Sequence, residues 1–252
     1  MKRILIICIA LFVVQKGTAQ ESFNSRGKIT FEKSVNQKRV LDDSDWFPSE
    51  YKDRISTYKK SNWEYQFNDT HALYKEGEKN AVSNEFMFYT SGGNGQFYTQ
   101  FKDGKRIFVK DISSVPYLLT DTIPKLDWKI LPEIRMIAGY ETRKATAVFN
   151  DTVTVVAFYT DQILTQGGPE GFTGLPGMIL GLAIPRYFTT WFATKIEILP
   201  ETALKIQPPT KGQKVDNEKD YAKMLDIFLR WTDDKVKPSP EEIRRRIYSF
   251  TL

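Results

Sequence analysis

From Gly27 onward the chain alternates apolar and polar residues with a period of two, and the apolar positions are mostly β-branched or aromatic. That pattern predicts half-buried strands rather than helices. "GKITFEKSV" places Ile29, Phe31 and Val35 on one side, and "NWEYQF" and "HALYKEG" flank Asn68-Asp69-Thr70, which predicts a hairpin. "EFMFYT" and "QFYTQF" flank the glycine-rich "SGGNG", and Asp103-Gly104 predicts a turn into "KRIFVKD". "LDWKI", "GYETRKATAVF", "TVTVVAFYTD", the fully apolar "MILGLAI" and "YFTTWFATKIEIL" continue the series. About ten strands at short spacing are expected, in an antiparallel meander.

Three segments read as helical. Residues 48–60, "PSEYKDRISTYKK", predict a short helix. Over residues 216–231, Tyr221, Met224, Leu225, Phe228 and Leu229 share one face at helical spacing. A last helix starts at Ser239 as N-cap, with Pro240 in its first turn, Glu242 completing a capping box, and Arg244, Arg245 and Arg246 toward the end that favours cations. Residues 200–214, with their Pro-Pro pair, read as the polar loop into these helices. The fold class expected is α+β: a large curved antiparallel sheet with C-terminal helices over one face.

The first residues read as a secretory signal. Lys2 and Arg3 precede the apolar run "ILIICIALFVV", and small residues end at Ala19. That run falls short of the ~20 apolar residues a membrane helix needs. The expectation is cleavage before Gln20, a single domain over residues 20–252 and no transmembrane segment in the mature chain; the alternative is an N-terminal anchor. Removing Lys2, Arg3 and Lys16 takes the net charge from +5 to +2, so the basic balance gives no argument for nucleic acid. The only cysteine, Cys8, leaves with the signal, which excludes disulfides, thiolate metal sites and a cysteine nucleophile.

Glycine and proline concentrate in "GPEGFTGLPGMILGL", residues 168–182. Leu175-Pro176-Gly177-Met178 has proline where φ near −65° is needed and glycine where φ must be positive, which predicts a type II turn. Gly168, Pro169, Phe172, Gly174, Leu175, Pro176 and Gly177 are the candidate site residues. One reading is a corner that places the strand after it; the other is an anion-binding backbone nest or a lip over a pocket.

Together with "AGYETRKATAVF" and "AFYTDQI", this stretch resembles the signature block of the GLPGLI family, exported proteins of Bacteroidetes. The likeness covers residues 126–198. Met178 departs conservatively from the motif, and Thr142 stands where members often carry cysteine. The resemblance implies an exported location, the periplasm or the outer membrane and cell surface, and no catalytic residues, because the family has no established activity. More loosely, the strand series resembles the half-barrels of lipoprotein-carrier-like proteins, a likeness of fold that does not fix function.

Residues that carry chemistry are few. His71 is the sole histidine, so histidine or thiolate zinc sites cannot be assembled, and no metal or cofactor is expected. "DDSD" at residues 42–45 lacks EF-hand spacing and reads as an acidic turn. Ser56 and Lys59 match S-x-x-K without its companion motifs, and "GGNG" lacks the lysine and helix of a phosphate loop. Paired carboxylates remain open, with Glu170 the first acid to mutate. The chain's 5 Trp, 12 Tyr and 17 Phe point to a face lined for a ligand or partner, or to a two-sided core.

Three functions follow. The first is a non-catalytic envelope protein that holds an amphiphile, lipid or peptide on its concave sheet, or docks an outer-membrane partner. The second is a secreted hydrolase with paired carboxylates. The third is a purely structural envelope protein. A deep aromatic groove would favour the first, two acids facing one cleft the second, and a sealed core the third.

Overall fold

Among the described residues the period-two alternation becomes one sheet of twelve strands. The computed structural model describes residues 25–42, 55–78, 95–112, 115–149, 151–215 and 218–229. In chain order the strands are β1 Gly27–Asn36, β2 Tyr58–Phe67, β3 His71–Glu76, β4 Gln96–Gln100, β5 Lys105–Ile112, β6 Val115–Thr122, β7 Lys129–Ile137, β8 Tyr140–Phe149, β9 Val153–Thr160, β10 Met178–Ile184, β11 Thr189–Glu197 and β12 Gln213–Val215. Two α-helices accompany them among the described residues, α1 Gln37–Asp42 and α2 Glu218–Leu229. The described residues are mostly β, with a larger sheet than the sequence suggested; of the expected C-terminal helices they include one, α2.

Spatial order is β12-β6-β5-β4-β3-β2-β1-β11-β10-β9-β8-β7. Two antiparallel meanders, β1 to β6 and β7 to β11, are therefore joined by the pairing of β1 with β11. Among the described residues only strand β12 is parallel, on β6. Six residues, 123–128, carry the chain from β6 to β7, which lie ten strand spacings apart. Laid flat, that separation is ~48 Å. The link can reach ~25 Å at most. The sheet must coil until its two ends approach each other, which gives it a concave face.

That face carries an aromatic row in direct register. Tyr65 pairs with Tyr74, Tyr74 with Phe97, Phe97 with Phe108, and Phe108 with Leu119. All are buried. Phe97 and Phe108 stack at 5.6 Å between centroids, and Trp63 stacks on Tyr74 at 4.9 Å. Such cross-strand pairs are the unit of sheet stabilisation.

β10 is apolar throughout because both its faces are covered. A bulge in β7 swings Ile137 against Gly181, and Arg135 lies over the rings of Phe158 and Phe192 at 4.8 and 5.8 Å. The opposite side of β10 belongs to the central core, with Ile179 and Leu182 fully buried.

The Asn68 and Gly104 turns form as expected: Asn68 Oδ1 accepts from the Thr70 and His71 amides, and Gly104 (φ 60°) closes β4 onto β5. Other expectations are corrected. β6 was not foreseen, since Pro116 near its start reads as a breaker; its ring sits at an outer strand position that tolerates proline. The polar loop after residue 200 gains the short β12. Tyr58 and the two lysines after it begin β2 rather than ending a helix, because Tyr65 and Trp63 set a strand alternation that extends back to them. Residues 43–54, "EFMFYT" and the Ser239 helix lie outside the described residues, as does the signal segment. Among the described residues no helix is long and apolar enough to cross a membrane.

Candidate functional site

The long connection from β9 to β10, residues 161–177, runs across the concave face as a strap. Loops normally lie on the surface. Residues 167–173 of this one are all buried. Gly167 lies so close to the Tyr65 hydroxyl that a Cβ there would collide with it, and Gly168 packs on Ile179, where an added Cβ would come within 2.6 Å of its Cβ. Pro169 opens a 3-10 turn through Gly171. Phe172 meets Phe149 of β8 edge-on at 5.7 Å. The Trp128 indole, on the link between β6 and β7, donates to the Thr173 carbonyl at 2.9 Å, beside exposed Gly174. Leu175 is buried and Pro176 is exposed.

The corner itself differs from the expected type II turn. The Gly177 amide donates to the Leu175 carbonyl at 2.8 Å, a three-residue turn about Pro176. Met178 is already paired with Thr160 of β9 and bridged to Gly167, so it does not turn back to Leu175. Gly177 keeps a positive φ of 143°, and a Cβ there would strike the Thr160 carbonyl. Gly177→Ala should therefore cost at least ~2 kcal/mol, from backbone strain and overpacking together. Urea unfolding checks it, and a midpoint equal to the parent's would overturn the assignment.

At the centre of the strap, Glu170 adopts φ 57°, ψ 18°, a left-handed conformation that is uncommon for a side-chain-bearing residue. Its carboxylate is buried. Oε1 accepts from Trp191 Nε1 of β11 at 3.1 Å, from Lys33 Nζ of β1 at 3.3 Å and from Tyr74 Oη of β3 at 3.5 Å. Lys33 is equally buried, with its ammonium 5.3 Å from the Trp63 ring centre and 5.1 Å from that of Trp191. Burial raises the Glu170 carboxyl above its ordinary value, against the opposing pull of Lys33, Trp191 and Tyr74. Burial, reinforced by the Glu170 charge, raises Tyr74.

The structure thus brings Gly168, Pro169 and Phe172 onto the concave face around Glu170, and leaves Gly174, Leu175, Pro176 and Gly177 to the corner that starts β10. The sequence reading missed Lys33, Tyr74 and Trp191 as the partners of Glu170. Lys33 carried a signal: it shares the parity of Ile29 and Phe31, the buried side of β1. Two more buried cations sit on the same face of β5, Arg106 and Lys110. Arg106 lies 3.6 Å from Asp121. His71 is a partly buried strand residue stacked on Tyr98 at 5.5 Å. Ser56 donates to the Tyr58 carbonyl beside the start of β2.

Fold and site together define a mostly-β protein whose coiled sheet is bridged by a strap bearing a buried, lysine-paired carboxylate. Residues 147–181, from the end of β8 through the strap into β10, match a family model described as "Protein of unknown function (Porph_ging)". No curated protein matches the chain. Two solved structures of PNGF-II, in C2 and P21 space groups, share the fold with TM-scores of 0.51 and 0.50 at 14% identity. They cover 80% and 79% of this chain, which spans 33% of the length of PNGF-II.

Proposed function

We propose that this chain is an exported, non-catalytic cell-envelope protein of the GLPGLI-like kind, whose sheet edge β7 docks an extended segment of an outer-membrane partner. The observation that carries the reading is the exposure of Ile134 (57%) and Met136 (64%) on an edge strand. β7 and β8 close on the two-residue turn Ala138-Gly139, with Ile137 opposite Tyr140. Hydrogen-bonded pairs alternate from there, so Ile134 and Met136 turn their N–H and C=O groups outward. Ile130 of β7 and Val148 of β8 are also exposed apolar residues. An edge with outward backbone groups and alternate apolar side chains suits strand addition. Lys129, Arg135, Arg143 and Lys144 outnumber Glu133 and Glu141 along this hairpin, so the partner segment is apolar at alternate positions with acidic residues between.

The concave face supports the amphiphile reading less directly, because the strap covers its aromatic row. The groups reaching Glu170 are an ammonium, an indole and a phenol rather than a second acid, which disfavours carboxylate-pair hydrolysis. The test is a photoreactive residue in place of Met136 in native envelopes, with one at Lys195 as control, followed by a synthetic peptide of the cross-linked segment. The expected peptide is extended and acidic, and Ile134→Pro weakens it at least ~10-fold by removing an outward N–H, with the melting temperature unchanged. Binding indifferent to Ile134→Pro, or a cross-link to a second copy of this chain, would overturn the reading.

A further inference from the structure

The Glu170 cluster divides into two parts of different mechanical character. Its three donors, Lys33, Tyr74 and Trp191, stand on β1, β3 and β11 of the sheet. Trp63 stacks on Tyr74 and flanks the Lys33 ammonium, so the donors are fixed by packing on the scaffold. The acceptor arrives differently. It hangs from a strap with Gly167 and Gly168 before it and Gly171 after it, in a left-handed backbone conformation that only over-determining contacts sustain. Beside the donors runs the aromatic row of Tyr65, Tyr74 and Phe97, an apolar surface suited to a hydrocarbon chain.

A convergent ammonium, indole N–H and phenol with aromatic walls is a ready-made carboxylate site: polar groups few and placed, the remainder apolar. We propose that Lys33, Tyr74 and Trp191 form a receptor for the carboxylate of an amphiphilic monoanion, and that Glu170 fills it as a tethered competitor. An incoming carboxylate takes the Oε1 position between the three donors and its tail lies along the aromatic row, while the strap lifts about its glycines. Because a short tether holds its group at an effective concentration of order millimolar, free ligand competes poorly until the Glu170 carboxylate is removed. This goes beyond docking at β7, which lies at the far edge of the sheet and uses none of these residues.

Glu170→Gly suits the left-handed backbone and removes a side chain the size of propionate. The expected result is a saturable rise in its melting temperature with sodium propionate at neutral pH, absent with propionamide or with sodium chloride at equal ionic strength, and absent in the wild type. Adding Lys33→Met should abolish the rise. Equal responses to propionate and propionamide, or equal responses of variant and wild type, would overturn the proposal. Glu170→Gln, which keeps the side chain's size, gives the test a second form: decanoate should bind it at least ~10-fold more tightly than it binds the wild type, and equal binding would overturn the receptor.

Discussion

Lys33→Met should lower the unfolding free energy by ~3–5 kcal/mol, and adding Glu170→Leu should restore part of that loss. Both side chains are almost wholly excluded from water, at 6% and 2% exposure. Removing the ammonium alone leaves a carboxylate with an indole and a phenol but no counter-charge, and that is the costly state. Removing both leaves no buried charge, while the Trp191 indole N–H and the Tyr74 hydroxyl lose their acceptor at ~1–3 kcal/mol each, so the recovery is partial. Acidity separates this from a simple packing defect. The folded-state pKa of Glu170 is raised by burial even with Lys33 present, and losing Lys33 raises it further. A raised folded pKa gives stability that is complete below the unfolded value and is lost as pH rises through the folded one. The Lys33→Met deficit should therefore shrink on acidification. Urea unfolding of both variants across the acid range measures it, and a pH-independent deficit with no recovery in the double variant would assign the loss to packing of the strap.

Local chemistry made much of the fold legible before any coordinates. Asn68 and Gly104 mark their hairpins because turn geometry is settled within a few residues. β10 could be read as buried from its unbroken apolar run, and Gly177 as a positive-φ corner from its proline neighbour. What stayed hidden was nonlocal. Nothing in residues 161–177 says which face they cross, and a glycine-rich stretch reads as a surface turn until its neighbours are known. Amphipathic segments following the strands suggest a helical cover; α2 forms and buries Met224 against the β5–β12 end, and the strap, with Ile163, Phe172 and Leu175 buried, covers the centre. Charged residues on the buried parity of a strand were the available clue. Lys33 follows Ile29 and Phe31, and Arg106 and Lys110 bracket Phe108, each a cation where alternation calls for an apolar residue.

Lys110 yields the other large effect. Its side chain lies on the concave face of β5 opposite Tyr117, with 6% of the residue exposed, and burial pulls its ammonium down to about 7. Between that value and the ordinary lysine range the unfolded chain holds a proton that the folded chain does not, so stability from this group rises with pH across the interval. Below about 7 the folded protein carries a desolvated cation. Lys110→Met should then be more stable than the wild type by ~2–4 kcal/mol on the acid side, with the advantage fading as pH climbs and the wild-type lysine becomes neutral in both states. Because the two proteins share every other titrating group, the difference between their urea midpoints isolates this one. A difference that holds constant through the alkaline range would mean that Lys110 stays charged in the fold.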